Sequence, residues 1–193
     1  MSIGLKGNAD GSGAVQVGGS DAITISTGLV VTGSAGNLML QSGTAVASTS
    51  GTSIDFTGIP SWAKRVTVMF SGVSTSGTSN VLIQLGDSGG VKITGYIGSS
   101  SNISSAVSSV TSTDGFILNA SAGASLRSGI LTINLLNGAT FTYAAAGTFG
   151  EAAATTYITG GYKSLPNILD RVRITTVSGT VTFTAGTINI LWE

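Results

Sequence analysis

Short runs in which hydrophobic and polar side chains alternate recur along most of the chain. In residues 65–71, the side chains of Val66, Val68 and Phe70 fall on one side and those of Arg65 and Thr67 on the other. This period of two is expected of a half-buried β-strand. Further runs are rich in Val, Ile, Thr and aromatic residues and are bounded by Gly, Ser and Asn. The predicted strands are residues 65–71, 80–85, 91–97, 115–119, 130–136, 140–145, 155–159, 171–177, 180–184 and 187–192.

No segment shows a convincing helical period. Many short strands joined by glycine-rich turns predict an all-β fold, an antiparallel, jelly-roll-like β-sandwich with an extended N-terminal arm. Within it, residues 171–192 are interpreted as three consecutive strands, with turns at Ser178-Gly179 and Ala185-Gly186, that form an antiparallel meander or part of a Greek key. The serine-rich residues 98–113 are expected to form an exposed loop.

The N-terminal residues have a different character from the rest of the chain. Glycine punctuates residues 1–45, and strand-like pieces occur only at residues 14–17 and 22–31. This segment contains too little apolar surface for a core of its own. We expect residues 1–45 to be an attachment arm that docks on another chain, with a flexible tail and an edge hairpin as alternatives. Residues 46–193 are expected to form the sandwich.

Composition excludes several classes of function. The 193 residues include no cysteine and no histidine, which removes disulfides, thiolate or imidazole metal ligands and imidazole-based catalysis. The formal net charge is zero and only 8% of residues are charged, so no basic surface for nucleic acid is expected. No apolar stretch reaches the roughly 18 residues of a membrane span, and no signal peptide is recognised. We therefore expect a protein made in the cytoplasm, without membrane insertion, that is buried against partners in an assembly.

One stretch resembles an enzyme motif. Gly86-Asp87-Ser88-Gly89-Gly90 is similar to the residues around the nucleophilic serine of trypsin-like proteases. That serine needs an imidazole to take its proton, and this chain has none. A lysine base is conceivable in Lys64, Lys92 or Lys163, but nothing places one beside Ser88. The motif is instead interpreted as a tight turn in which Asp87 bonds local backbone and glycines supply positive φ.

Acidic and aromatic residues are the remaining candidates for binding or catalytic groups. The carboxylates are far apart in sequence, so neither a catalytic pair nor a metal site is predicted among Asp10, Asp21, Asp55, Asp87, Asp114, Glu151, Asp170 and Glu193. A sugar-stacking platform could be built from Trp62, Trp192, Tyr96, Tyr143, Tyr157 and Tyr162. Aromatic residues at alternating strand positions are more often core or interface residues, as we expect for Trp192. Tyr162, in a predicted loop, is the better surface candidate. No catalytic, cofactor-binding or metal-binding residue is therefore predicted, and no cofactor.

Three stretches resemble proteins of tailed bacteriophages. Residues 7–19 (GNADGSGAVQVGG) resemble the start of tail-fibre-like proteins of phages and prophages. Residues 53–74 (SIDFTGIPSWAKRVTVMFSGVS) and residues 171–190 are similar to a module widespread in phage virion proteins. The resemblance implies a β-sandwich or jelly-roll module, commonly trimeric, that is used in fibres, tail appendages or head decoration. It brings no catalytic residues with it.

These observations lead to one expected function and two alternatives. The first is a non-enzymatic structural component of a virion, a tail fibre or related appendage that forms a homotrimer. Its arm would attach to other virion proteins, either of the tail or the major capsid protein. The first alternative is a decoration (cement) protein that stabilises the capsid. The second is a carbohydrate-binding module that recognises a host surface glycan, or else a polysaccharide-degrading enzyme.

Overall fold

The computed structural model describes residues 3–7, 13–17, 20–25, 31–33, 40–104, 106–119, 123–152 and 154–193. The fold is all-β, and the described residues form strands and turns but no helix. Accordingly, they contain no helix able to cross a membrane. The chain divides into two compact units, residues 1–41 with Glu193 and residues 42–192.

The N-terminal unit contains a small sheet of four antiparallel strands in sequence order. The strands are β1 (Ile3–Gly7), β2 (Gly13–Val17), β3 (Ser20–Ile25) and β4 (Val31–Gly33). The segment expected to be an extended arm thus contains strands that pair with their neighbours in sequence, which satisfies their backbone groups locally. Residues 26–30 of the predicted strand 22–31 lie outside the described residues. The attachment role of this unit stays a prediction.

The second unit is built from two antiparallel sheets. The large sheet has the order β12-β11-β16-β15-β14-β8-β18, with short strands β5 and β6 beside β18. Its strands are β5 (Gln41–Ser42), β6 (Val46–Ala47), β8 (Arg65–Thr75), β11 (Ile97–Ile103), β12 (Ser109–Ser112), β14 (Arg127–Asn137), β15 (Thr142–Glu151), β16 (Thr155–Ser164) and β18 (Phe183–Trp192). The small sheet has the order β10-β9-β17-β7, and β13 also pairs with β9. Its strands are β7 (Ile54–Thr57), β9 (Val81–Asp87), β10 (Gly90–Val91), β13 (Phe116–Leu118) and β17 (Arg171–Thr176).

The two sheets share one hydrophobic core. The large sheet contributes Val68 and Leu131, and the small sheet contributes Ile83, Phe116 and Val172, all of them fully buried. The alternation predicted for residues 65–71 is confirmed, because the inward positions of β8 are buried and the outward ones are not. The structure therefore confirms the predicted antiparallel β-sandwich.

The three-stranded meander predicted for residues 171–192 is wrong. β17 lies in the small sheet and β18 in the large sheet, so the chain crosses the sandwich between them. Ala185-Gly186 is a bulge within β18, where the register against β8 shifts. Gly186 has φ +91°, and a Cβ there would lie 2.4 Å from the Gly72 carbonyl oxygen. A bulge and a turn both favour a glycine at positive φ, so the local sequence does not distinguish them.

The loop predicted for residues 98–113 is also wrong, since β11 and β12 pair as a hairpin at the edge of the large sheet. The hydroxyl of Ser100 explains how a serine-rich segment is held there. It is buried, donates to the Ile158 carbonyl oxygen at 3.0 Å and accepts from the Asn119 amide at 3.1 Å. Both partners are remote in sequence, so low strand propensity is overridden by tertiary hydrogen bonds.

Candidate functional site

The protease-like motif forms a turn between two paired strands. Ser88-Gly89 joins β9 to β10, with Gly90 opposite Asp87. The Asp87 Oδ1 atom accepts a hydrogen bond from the Gly89 amide at 2.8 Å, and Gly90 has φ +103°. The predicted turn, including the backbone bond of Asp87, is confirmed.

Lys92 forms an ion pair with Asp87 at this turn. Its Nζ lies 2.7 Å from Asp87 Oδ1. Burial alone would raise the pKa of Asp87, but the hydrogen bonds from Lys92 and from the Gly89 amide lower it below its ordinary value. Asp87 is thus charged at neutral pH and holds the ammonium group of Lys92.

Three described carboxylates form separate pairs with arginine. Asp170 pairs with Arg171, Asp55 with Arg173 and Glu151 with Arg127. Within the described part of the chain, no three potential metal-ligating side chains come together. Asp10 and the side chain of Asp21 lie outside that part.

The six aromatic residues considered for a stacking platform are dispersed. Tyr96, Tyr143 and Tyr157 are buried, and Trp62 and Trp192 pack partly buried against the core. The expected packing role of Trp192 is confirmed. Tyr162 is 51% exposed, as expected for a surface residue, but it lies on strand β16 and not in a loop. These residues do not form one platform.

A broad apolar surface lies on the outer face of the large sheet. Five large side chains on β14, β16 and β11 point away from the core and are each about half exposed. They are Ile97 (57%), Ile103 (53%), Ile130 (49%), Ile158 (51%) and Tyr162 (51%), and we call them the apolar patch.

The register places the members of the apolar patch near one another. Ile130 and Ile158 both flank Thr148 of β15, one from each side. Tyr162 lies opposite Ile97 on the neighbouring strand. Cross-strand neighbours on one face have Cβ atoms about 5 Å apart, so these pairs form continuous rows.

The surroundings of the apolar patch are small and uncharged. The outward positions between its members include Ala144, Ala146, Gly160 and Ser99. Strands β11, β14, β15 and β16 are described throughout, and none of their outward residues is charged. A cavity of about 290 Å³ opens beside Ile97, bordered by Gly160, Thr111 and Thr113. The result is an apolar face with a depression and no charge to be desolvated.

The sandwich also encloses a polar cluster inside the large sheet. Arg127 and Glu151 are paired across β14 and β15, with side chains 1% and 4% exposed. The Arg127 Nη2 atom lies 3.3 Å from Glu151 Oε1, and the Tyr157 hydroxyl donates to Glu151 Oε2. Burial lowers the pKa of Arg127 from its ordinary value, and the Glu151 carboxylate opposes that shift. Burial, the hydrogen bond to Glu151 and its negative charge raise the pKa of Tyr157 to about 12.

Neither the apolar patch nor the polar cluster was found from the sequence. The sequence does indicate the patch, because Ile130, Ile158 and Tyr162 occupy alternating positions whose side chains point away from the core residues of their own strands. The sequence does not indicate the polar cluster, because Arg and Glu residues in a predicted strand are ordinarily assigned to its solvent-facing side. In comparisons with known proteins, no protein-family model and no curated protein matches this chain.

Proposed function

We propose that this protein is a non-enzymatic structural component of a bacteriophage virion, a tail fibre or related appendage. It self-associates as a homotrimer through the apolar patch and attaches to other virion proteins through its N-terminal unit. The observation that carries self-association is the apolar, uncharged outer face of strands β11, β14, β15 and β16.

The size of this face suits a subunit interface. The four strands from β11 to β14 are spaced about 4.8 Å apart, and seven residues of strand span about 24 Å. The resulting footprint is about 460 Å², more than half of the roughly 800 Å² per partner of a standard protein interface, so the patch would form the apolar centre of an interface that extends beyond it. Exposed apolar patches of this extent are characteristic of interaction sites.

The chemistry of the face favours a copy of the same chain as the partner. A charged partner would leave its charges unpaired against Ile130, Ile158 and Tyr162, which is costly once water is excluded. A second apolar, uncharged face meets no such penalty, and the formal net charge of zero gives little long-range repulsion between copies. Three copies around an axis beside the patch would bury it.

The virion assignment is supported by sequence. Residues 7–19 resemble the start of phage tail-fibre-like proteins, and residues 53–74 resemble a module of phage virion proteins. In this chain, residues 53–74 cover β7 and most of β8, which stand in different sheets of the sandwich. The resemblance therefore concerns segments that build both layers of the fold.

Sedimentation equilibrium tests self-association. The wild-type chain is expected to have three times the mass of one chain at micromolar concentration, and Ile158→Lys is expected to have the mass of one. The substitution places an ammonium group in an interface where it has no partner. Val177→Lys is the matched control, because Val177 is 54% exposed on the other side of the sandwich and should leave the mass unchanged. A monomeric wild type, or a trimer that survives Ile158→Lys, contradicts the proposal.

Imaging tests the position on the virion. Labelled protein on intact particles is expected at the tail. Signal distributed over the whole shell would exclude the fibre and support the decoration protein, while signal confined to the tail would exclude the decoration protein.

A further inference from the structure

The outer face of the small sheet contains a cleft of about 400 Å³. Its lining includes Arg173 of β17 and Gln84 of β9, which lie opposite each other, and Asp55 of β7 flanks Arg173 on its other side. Ile93 (61% exposed) and Val177 (54%) stand at its rim as apolar walls. A concave surface with apolar walls and a few polar groups is the usual form of a small-molecule site.

Gln84 supplies a hydrogen-bond acceptor to this cleft. The residue is 5% exposed, and its Nε2 atom donates to the Asp114 carbonyl oxygen at 2.8 Å, which fixes the orientation of the amide. Among the described residues, none donates a hydrogen bond to its Oε1 atom. The Oε1 atom is therefore available to a ligand or water that donates to it from the cleft.

Arg173 supplies a donor beside that acceptor. Its Nε and Nη2 atoms bind the two carboxylate oxygens of Asp55 at 2.7 and 2.6 Å. This two-point pairing holds the guanidinium plane still, and no acceptor within the described part of the chain occupies Nη1. Because Arg173 lies directly opposite Gln84, one donor and one acceptor stand side by side.

The charges around the cleft define the ligand class. Its charged lining residues are Asp114 and Arg173, and the charge of Arg173 is already balanced by its ion pair with Asp55, so an anionic ligand is disfavoured. A saccharide matches the remaining features, because its hydroxyls both donate and accept and its C–H faces pack on aliphatic walls. The volume lies near the lower end of the range of about 300–1,000 Å³ for small-molecule sites. We infer that this cleft binds one or two units of a neutral saccharide.

Saturation-transfer NMR on the full chain tests this inference. The probes are neutral oligosaccharides of galactose, mannose and N-acetylglucosamine at about 10 mM, which reveals even millimolar Kd values. Sialyllactose serves as the acidic comparison. We expect transfer to at least one neutral probe and weaker transfer to sialyllactose. No transfer to any neutral probe overturns the inference.

Two variants locate the site. Gln84→Met keeps a side chain of similar volume and removes the acceptor, together with the donor to the Asp114 carbonyl oxygen. Ile93→Ala shortens an exposed wall and leaves the buried residues of the cleft unchanged. Each is expected to weaken binding about tenfold, the loss typical of one missing partner. Val107→Ser, at a 74% exposed position of the β11–β12 connection, is the control that should bind normally. Binding that survives both cleft variants overturns the inference.

Sedimentation of the same samples separates this inference from the proposed function. If Gln84→Met lowers the mass of the assembly, the cleft is a subunit interface and the saccharide site is wrong. If wild type is monomeric but binds a neutral saccharide through the cleft, self-association fails while this inference stands. The two proposals rest on different sheets and fail independently.

Discussion

Replacing Glu151 by glutamine is expected to destabilise the sandwich strongly, although it changes a single heavy atom. The amide keeps the shape of the side chain and an oxygen for the Tyr157 hydroxyl, but it leaves the guanidinium of Arg127 buried without its counter-charge. With an effective dielectric constant of about 20, unit charges 3.3 Å apart attract by about 5 kcal/mol. Breaking a buried pair typically costs about 3–5 kcal/mol. We therefore expect a loss of about 3–5 kcal/mol in the free energy of unfolding.

The measurement is urea-induced unfolding at pH 7 followed by tryptophan fluorescence. Both tryptophans, Trp62 and Trp192, lie in the second unit, so their fluorescence reports the sandwich. The unfolding midpoint should fall while the slope with urea stays constant, because the buried surface is unchanged.

Asp55→Asn is the matched control for this prediction. The Asp55–Arg173 pair is shorter, at 2.6 Å, but its side chains are 39% and 37% exposed. Solvent screens an exposed pair, whose contribution is about 0–1 kcal/mol. Distance alone would rank the Asp55 pair as the stronger one, while burial ranks the Glu151 pair first. Equal losses for the two variants, or less than about 1 kcal/mol for Glu151→Gln, would refute the reasoning.

Three further predictions concern the core of the large sheet. Gly129→Ala should lower the free energy of unfolding, measured with urea, by about 1–3 kcal/mol, because the new Cβ atom would lie 2.3 Å from the Thr148 carbonyl oxygen. Gly150→Ala is the control and should leave this free energy almost unchanged, because its Cβ atom would have only one neighbouring atom, at 4.0 Å. Phe149→Ala should cost about 3–5 kcal/mol, because Phe149 is fully buried edge-to-face against Phe70; a loss below about 1 kcal/mol would show that the site is loosely packed. The raised pKa of Tyr157, about 12 when folded against about 10 when unfolded, stabilises the fold fully below pH 10. Tyr157 should contribute about 2–3 kcal/mol of the stability lost as the pH rises from 10 through 12. In a stability profile measured by urea unfolding, Tyr157→Phe should remove that contribution and leave those of Tyr96 and Tyr143, whose pKa values burial also raises.

The strands of the sandwich could be predicted wherever a local period was clear. Val66, Val68 and Phe70 alternate with outward residues, and β8 follows that pattern. The pattern was insufficient at Ala185-Gly186, where a bulge and a turn demand the same backbone freedom. It was also insufficient for β11, where the buried Ser100 is held by hydrogen bonds with residues remote in sequence.

The two candidate surfaces depend on pairing between strands that are distant in sequence. Ile130 and Ile158 become neighbours of Thr148 through the register of β15 with both flanking strands. Asp55, Arg173 and Gln84 form one row because β17 pairs with β7 and with β9. Register follows from how the core is filled, so none of these rows could be read from the sequence.

The sequence by itself determined the β class, the inward face of the clearest strand and the turn at Ser88-Gly89, because the period of side chains and the φ demands of turn residues are local properties. The absence of histidine likewise decided, without any structure, that the protease-like motif lacks its base. Only the tertiary structure decided that Arg127 lies inside the core, that four isoleucines and Tyr162 share one exposed face, and that Gln84 lies beside Arg173 in a cleft. Those features result from pairing between strands that are distant in sequence. Burial of the hydrophobic faces of both sheets fixes the register of that pairing, and the register determines where all other side chains lie.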